Sequence, residues 1–457
     1  MAEKGCAFDA PVAWALRVDA SGSPTQALPA DLVQRAGGQK NLDKLTVAVQ
    51  DFRKATRFDE WHARHQGEWD AWQAQVSRGL AGRDLPADLE AWYGRGAASY
   101  SLVVSPALGA RPFATWIQDP TGLHLYGVLA PSTPELASAA LWTLGDALLS
   151  PVLEQAWASF VVTERMFGPI AQPMAEHGHV TWRRALAATL ARAAVCRMDT
   201  ERFGAIEGLE CVAEQVHDGF AYTPLAYDAY DRYRADKEKF PGFDAFLLEL
   251  AGLYGSILSP ESWIRKSPWA GALSIDDVRA STTLNSTLVV PTVYEDEDLE
   301  RRINAHIRAL APSMTSGRVS WDTDALPVPP ENGAWVLFGG PANNVVLSRW
   351  AESFPFQVTP DAIEVDGRRF EGTDLRLIAA LPNPSGLGPT GVPKGGAGWI
   401  VYTAQRDADI LGVETVPNGR TAWVLARGQE VLAEGFFLPE SVRRALPPPP
   451  TPPEARP

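Results

Sequence analysis

Between Leu141 and Val162 lies the most apolar long window of the chain, interrupted by Asp146, Pro151 and Glu154. A bilayer-spanning helix needs about 20 predominantly apolar residues, so this window reads as a buried helix, and no membrane span is expected. A buried helix needs a body around it. The chain can supply one: 457 residues, 46% hydrophobic and 21% charged, describe a globular protein with a large core. At about 150 residues per domain this length suggests two or three domains. Lys+Arg total 41 against 55 Asp+Glu, a net charge of −14, which argues against nucleic acid or anionic lipid as the main partner. The N-terminus carries no basic-then-apolar leader, so the chain as written is expected to be cytoplasmic, and exported if a leader was trimmed.

Residues 1–42 read as irregular, with Gly, Pro and Ser spread through them. Phe58, Trp61, His65, Trp69, Trp72, Val76 and Leu80 then follow at spacings of 3 and 4, one face of a helix expected to pack on a core. Short β-type runs at 99–105, 113–118 and 123–129 predict a small mixed or antiparallel sheet. From Pro134 to about Tyr254 the pattern is nearly all helix, in segments 134–149, 151–166, 180–198, 201–217, 225–238 and 243–257, with Pro151 in the first turn of the second. After Pro260 the pattern changes: EDEDLE (295–300) opens a helix to about Ala311, and a Pro/Gly-rich connection spans 312–333. Strands then alternate with short helices over 334–338, 344–352, 362–365, 375–381, 399–403 and 422–426, and the tail ALPPPPTPPEARP is polyproline-like. The expected fold class is α+β: a mainly helical body with a small sheet over 43–275, a smaller α/β domain over 280–438, and a Pro-rich tail at 446–457.

Little in the sequence points directly to chemistry. There is no HExxH among the histidines, no GxSxG elbow and no CxxC. Cys196 and Cys211 sit in apolar helical contexts and read as buried small hydrophobes, and His177 and His179 read as a loop pair. Two Gly-rich stretches occur, Phe338-Gly339-Gly340-Pro341 and Lys394–Gly398; the first could open a helix N-terminus to an anion, although it is neither GxGxxG nor GxxxxGK(S/T) and Pro341 could simply start a helix.

The order of segments nevertheless resembles a bacterial family of uncharacterised proteins related to gluzincin-type zinc metallopeptidases. TRFDEWHARHQGEW (56–69), LEAWYG (89–94) and SYSLVVSPALG (99–109) are similar to its opening helix, short helix and first strand. LLSPVLEQAWASFVV (148–162) lies where the family has a helix of the type HEFxHSFV, and HVTWRRALAATLARA (179–193) where a helix supplies the third zinc ligand. GFAYTPLAYDAYDRYRADKEKFPGFDAFL (219–247) resembles the closing helices, and WVLFGGPANNVVLSRW (335–350) with GRRFEGTDLRLIAALPNP (367–384) the following domain. The resemblance implies that the helices near 151–163 and 180–198 pack together, with Glu154 or Gln155 near Ala188 or Thr189.

The zinc positions depart from that pattern. Matching Ser159-Phe160-Val161 puts Glu154 and Ala158 at the two histidines and Gln155 at the catalytic glutamate. A one-residue shift keeps Glu154 as the glutamate and puts Leu153 and Trp157 at the histidines. The third ligand becomes Ala188 or, with a slip, Thr189. A zinc hydrolase needs three protein ligands and an open position. The resemblance therefore implies a degenerate site and a pseudopeptidase with no cofactor and no catalytic residue, holding a protein or peptide partner. The alternative is a hydrolase with a relocated metal or carboxylate site using Glu154, Glu176, His177 and His179.

Overall fold

The structure, a computed structural model, describes residues 9–19, 21–25, 27–106, 108, 112–294, 296–315, 318–325, 334–382 and 398–445. The tail at 446–457 and residues 394–397 of the second Gly-rich stretch lie outside them. The protein is α+β, with a helical N-terminal body and a sheet-rich C-terminal region. It divides into two compact units, 1–197 with 223–258, and 198–222 with 259–457. The expected domains, 43–275 and 280–438, follow chain order. The units do not, because a segment near residue 200 joins the later one.

The N-terminal segment expected to be irregular carries α1 (Ala10–Ala15) and α2 (Ala30–Arg35). They share a small core of Ala10, Ala13, Trp14, Leu32 and Leu42. The aromatic stripe runs not along one helix but across α4 (Phe58–Arg64) and α5 (Gln66–Gly79), broken at His65, and α3 (Gln39–Thr56) ends just before it. Arg57 separates α3 from α4 with φ +53°, a left-handed conformation that stops a helix. The stripe also fails to pack on a core: α4 buries nothing, α5 buries Val76 alone, and the rings stack on one another. Trp61 lies 4.4 Å from His65, His62 5.4 Å from Trp69, and Trp69 4.9 Å from Trp72. Each break rotates the next helix, so residues periodic in sequence meet each other instead of one wall.

Helix α6 (Leu85–Tyr93) opens where Asp84 accepts from Ala87 N at 3.2 Å and closes at Gly94, φ +65°. The sheet of β1 (Ser99–Val104), β2 (Phe113–Asp119) and β3 (Gly122–Leu129) has order β1-β3-β2 and is mixed, with β1 parallel and β2 antiparallel to β3. Helix α7 (Leu136–Phe160) is continuous, with Pro151 inside it. Pro151 was expected to start a second helix. Burial on both sides of it holds one axis, as a helix apolar all round requires. By length and composition Leu136–Met166 could cross a bilayer, with mean hydropathy 1.4, yet 72% of that window is buried inside the protein. It is a core helix. Pro151 leaves the Ala147 carbonyl without its helical N–H. Pro151→Ala should therefore raise stability by about 1–3 kcal/mol, read as a higher urea midpoint at unchanged slope.

Short 3-10 turns and α8 (Ala171–Glu176) lead to α9 (Trp182–Phe203). Next come α10 (Ala205–His217), which belongs to the second unit, and α11 (Thr223–Ala235) and α12 (Phe243–Gly255), which return to the first. Cys196 and Cys211 are disulfide-bonded, not the free buried thiols their contexts suggested.

The second unit continues with α13 (Pro260–Lys266) and α14 (Ile275–Asn285), the latter opened by a capping box between Ser274 and Asp277. A seven-stranded sheet follows: β4 (Ser286–Val290), β5 (Arg318–Trp321), β6 (Ala334–Phe338), β10 (Leu375–Pro382), β11 (Gly398–Ala404), β12 (Trp423–Arg427) and β13 (Glu430–Gly435). Its order is β13-β12-β10-β11-β6-β4-β5, parallel from β11 to β5 and antiparallel on the other side. Alternate residues Leu288, Val290, Val336, Phe338, Ile400 and Tyr402 meet α14 and α15 (Glu297–Met314) in one core. The chain leaves β6 through α16 (Val345–Trp350), where a strand or short helix was expected over 344–352. A three-stranded meander then intervenes, β7 (Phe356–Val358), β8 (Ala362–Val365) and β9 (Arg368–Glu371). Asp366 and Gly367, at φ +48° and +84°, form its hairpin turn. The last helix among the described residues is α17 (Glu440–Arg443). No sheet among the described residues crosses residue 280.

Candidate functional site

Helices α7 and α9 are antiparallel neighbours. A Cβ built on Gly145 would stand 3.4 Å from that of Ala191, and Glu154 Oε1 meets Arg183 Nη1 at 3.5 Å. The packing expected of the two helices is present, but the residues expected to meet are displaced. In this register Ala188 lies opposite residue 148 or 149, about 8 Å along the axis from Glu154 at 1.5 Å per residue.

Each candidate position has a plain local role. Leu153 is fully buried, as are Ala188 and Thr189, and the Thr189 hydroxyl donates to Ala185 O at 2.7 Å. Glu154, Gln155 and Ala158 are exposed. Trp157 is half-buried beneath the Arg183 guanidinium, 4.6 Å from the ring centroid. Arg183 thus ties Glu154 and Trp157 together on the α7 surface. Among the described residues no group of three or more His, Cys, Asp and Glu side chains could hold a metal.

Of the relocated set, Glu176 is exposed and His177 half-buried at the end of α8. His179 is held neutral, well below its ordinary pKa, by burial and then by Arg192, His177 and Arg184. Asp146 is 5% exposed. Burial pushes its carboxyl up to about 6, against the pull of Arg184, the Ser150 hydroxyl and Arg192. Arg192 itself lies over the Trp142 ring at 3.7 Å. The α7–α9 pair therefore encloses a charged cluster in an otherwise apolar interface.

That cluster leads outward to a small pocket. Its volume is about 200 Å3, and Arg17, Arg35, Arg184, Glu154, Trp116 and Gln118 are among its walls. Arg17 is fixed by Ala13 O at 2.6 Å and by Trp116 O, Arg35 by Asp9, and Arg184 by stacking at 4.9 Å on Trp116. Three guanidiniums, Arg35 among them paired with Asp9, against the one lining carboxylate Glu154 favour an anionic guest on so small a cavity. The sequence reading found Glu154 and missed the arginines. One signal was present: Asp146, Ser150 and Glu154 on α7, and Arg184, Ala188 and Arg192 on α9, each recur every four residues. Arg17 and Arg35 give no such signal.

The Gly-rich stretch 338–341 is not a helix start. Gly339 turns at φ +104°, and Asn344 caps α16 by accepting from Val346 N and Leu347 N at 2.9 and 3.1 Å. Pro341 lies ahead of the helix, in the turn.

No protein-family model, curated protein or solved structure matches this chain.

Proposed function

We propose that this chain is a catalytically inactive, metallopeptidase-like binding protein that holds a carboxylate of a peptide or protein partner against α7 and α9. The observation that carries this reading is the pocket walled by Arg17, Arg35 and Arg184 beside Glu154. Planar guanidiniums match a carboxylate's two oxygens, and anchoring of Arg17 on backbone carbonyls and of Arg184 on the Trp116 ring lowers the ordering cost of binding. The positions that resemble zinc-ligand sites support the non-catalytic half, because Leu153, Ala188 and Thr189 are packed into the helix pair and Glu154 is engaged with Arg183. The disulfide-bonded Cys196 and Cys211 favour the exported alternative for this protein, since such bonds persist in oxidising compartments.

The test is a hexapeptide library made once as free acids and once as C-terminal amides. The free acids should bind at least about tenfold more tightly, the size of one charge-assisted contact, and Arg184→Gln should erase the difference. Equal binding of acids and amides would overturn the reading. A second reading is a hydrolase with a relocated metal or carboxylate site that uses Glu154, Glu176, His177 and His179. Elemental analysis after purification in zinc-supplemented buffer separates the two. One zinc per chain, lost in Glu154→Gln or His177→Ala, would promote the hydrolase.

A further inference from the structure

The second unit contains a cleft of about 630 Å3, within the size range that small organic ligands fill. The register of the sheet builds its floor. Trp399 opens β11 opposite Leu381 of β10, and alternation turns both away from the face whose Ile378 and Ile400 pack on α14 and α15. Over that floor stand Trp350 and Phe354, which meet Trp399 edge-on at 5.7 and 5.8 Å and at 84° and 82°. Trp350, Phe354 and Phe437 line the cleft and are half-buried, so part of each ring remains wet. Covering that surface favours an apolar guest.

Charge selects among such guests. Lys266, Glu440 and Arg443 are the charged side chains of the cleft wall. Glu440 is held by Arg444, four residues on, and Arg443 by the buried Asp366, whose Oδ1 lies 3.1 Å from Nη1. Lys266, the last residue of α13, is exposed and has no acid partner among the described residues. One positive charge is therefore left over at the rim of an apolar cleft. Aromatic rings alone could cage a cationic guest, but the spare ammonium repels it and attracts an anion.

We propose that this cleft binds an apolar organic acid, a ring-bearing body of naphthalene size that carries one carboxylate or sulfonate. The body lies against Trp350, Phe354 and Phe437, and the anionic group meets the Lys266 ammonium. A lysine is a point charge on a flexible stem and demands no fork geometry of its partner, so the rings select the body and the head group is interchangeable. The site is independent of the arginine pocket on α7 and α9, and neither reading rests on the other.

The test titrates the full chain with two fluorescent probes that share their rings, anilinonaphthalene sulfonate and the uncharged phenylnaphthylamine. Both should bind saturably. Lys266→Gln removes the charge at an exposed site, and its circular-dichroism melt should be unchanged. It should weaken the sulfonate about fivefold or more and the amine by less than about twofold. Raising salt from about 0.05 to 0.5 M should weaken the sulfonate on the natural chain and leave its affinity for the Lys266→Gln chain unmoved. Phe354→Ala removes one ring and should weaken both probes alike, by about fivefold. Equal sulfonate affinity for the natural and Lys266→Gln chains would place the anion elsewhere, the arginine pocket included. Equal loss of both probes in Lys266→Gln would make the lysine stem, and not its charge, the contact. Affinities unmoved in Phe354→Ala would put the body outside the cleft, and no saturable binding of either probe would leave the cleft without an apolar guest. Each of these four results overturns the proposal.

Discussion

Phe246→Ala should destabilise the first unit by about 4 kcal/mol, lowering its melting temperature by roughly 8–16 °C. Phe246 is fully buried on α12, with Tyr233 and Phe240 each at 5.1 Å, Tyr230 at 5.9 Å and Phe243 at 6.1 Å. Losing its ring removes apolar burial and opens a cavity whose cost depends on how far the walls can collapse. Here they are pinned. Tyr230 donates its hydroxyl to Leu190 O at 2.9 Å and Tyr233 to Trp92 O at 2.8 Å, so neither ring can slide into the gap without abandoning a buried hydrogen bond. The cost should sit in the upper part of the range for Phe→Ala. Phe52→Ala, at a site 56% exposed, should stay within about 0.5 kcal/mol. A loss below about 1.5 kcal/mol for Phe246→Ala would mean that the nest repacks and is no rigid core.

What the sequence made legible was whatever is encoded locally. The acidic opening of α15 rests on neighbours within a few residues, and that helix begins close to where it was expected. Strands β6, β8 and β10 were legible as short apolar runs between turn residues. β5 was missed because four residues, partly exposed, carry no periodicity to read. The split of the aromatic stripe turns on the backbone of His65, at φ −102° and ψ 15° between α4 and α5, which no side-chain pattern announces. The candidate pocket was the least legible part, since Arg17 and Arg35 reach it from a segment far from α7 and α9 in sequence. The makeup of the second unit was hidden for the same reason. α10 is held there by Glu210 to Arg368 and by His217 against Phe436 at 4.8 Å, contacts across more than a hundred residues.

Raising the pH from 5 to 10 should weaken the second unit in two separate steps, each traceable to one side chain. The lower step belongs to Asp366. Its carboxyl is pushed up to about 6 by burial, against the opposing Leu438 N–H and the Arg443 and Arg368 cations. A folded pKa above the unfolded value near 3.8 means the folded state holds the proton more tightly. The stabilisation is complete below about 4 and is lost as pH rises through 6, about 3 kcal/mol in all. The upper step belongs to His217. Burial disfavours its charge, but Asp218 and Asp277 outweigh burial and push it up to about 9. Its Nε2 meets Asp277 Oδ2 at 2.7 Å, and Asp277 in turn accepts from Ser274 N and Oγ, each at 2.8 Å. That contribution is complete below about 6.5 and is lost as pH rises through 9. Asp277 is partly open to solvent, so screening should reduce it to about 2 kcal/mol. Urea unfolding of matched variants at pH 5, 7 and 9.5 separates the steps. Asp366→Asn should flatten the lower one, since asparagine tolerates the left-handed backbone at φ +48°. His217→Gln should flatten the upper one alone. If His217→Gln parallels the natural chain from pH 7 to 9.5, the His217–Asp277 pair does not secure α10 to the N-terminal turn of α14. The non-local joint would then rest on the pair of Glu210 and Arg368.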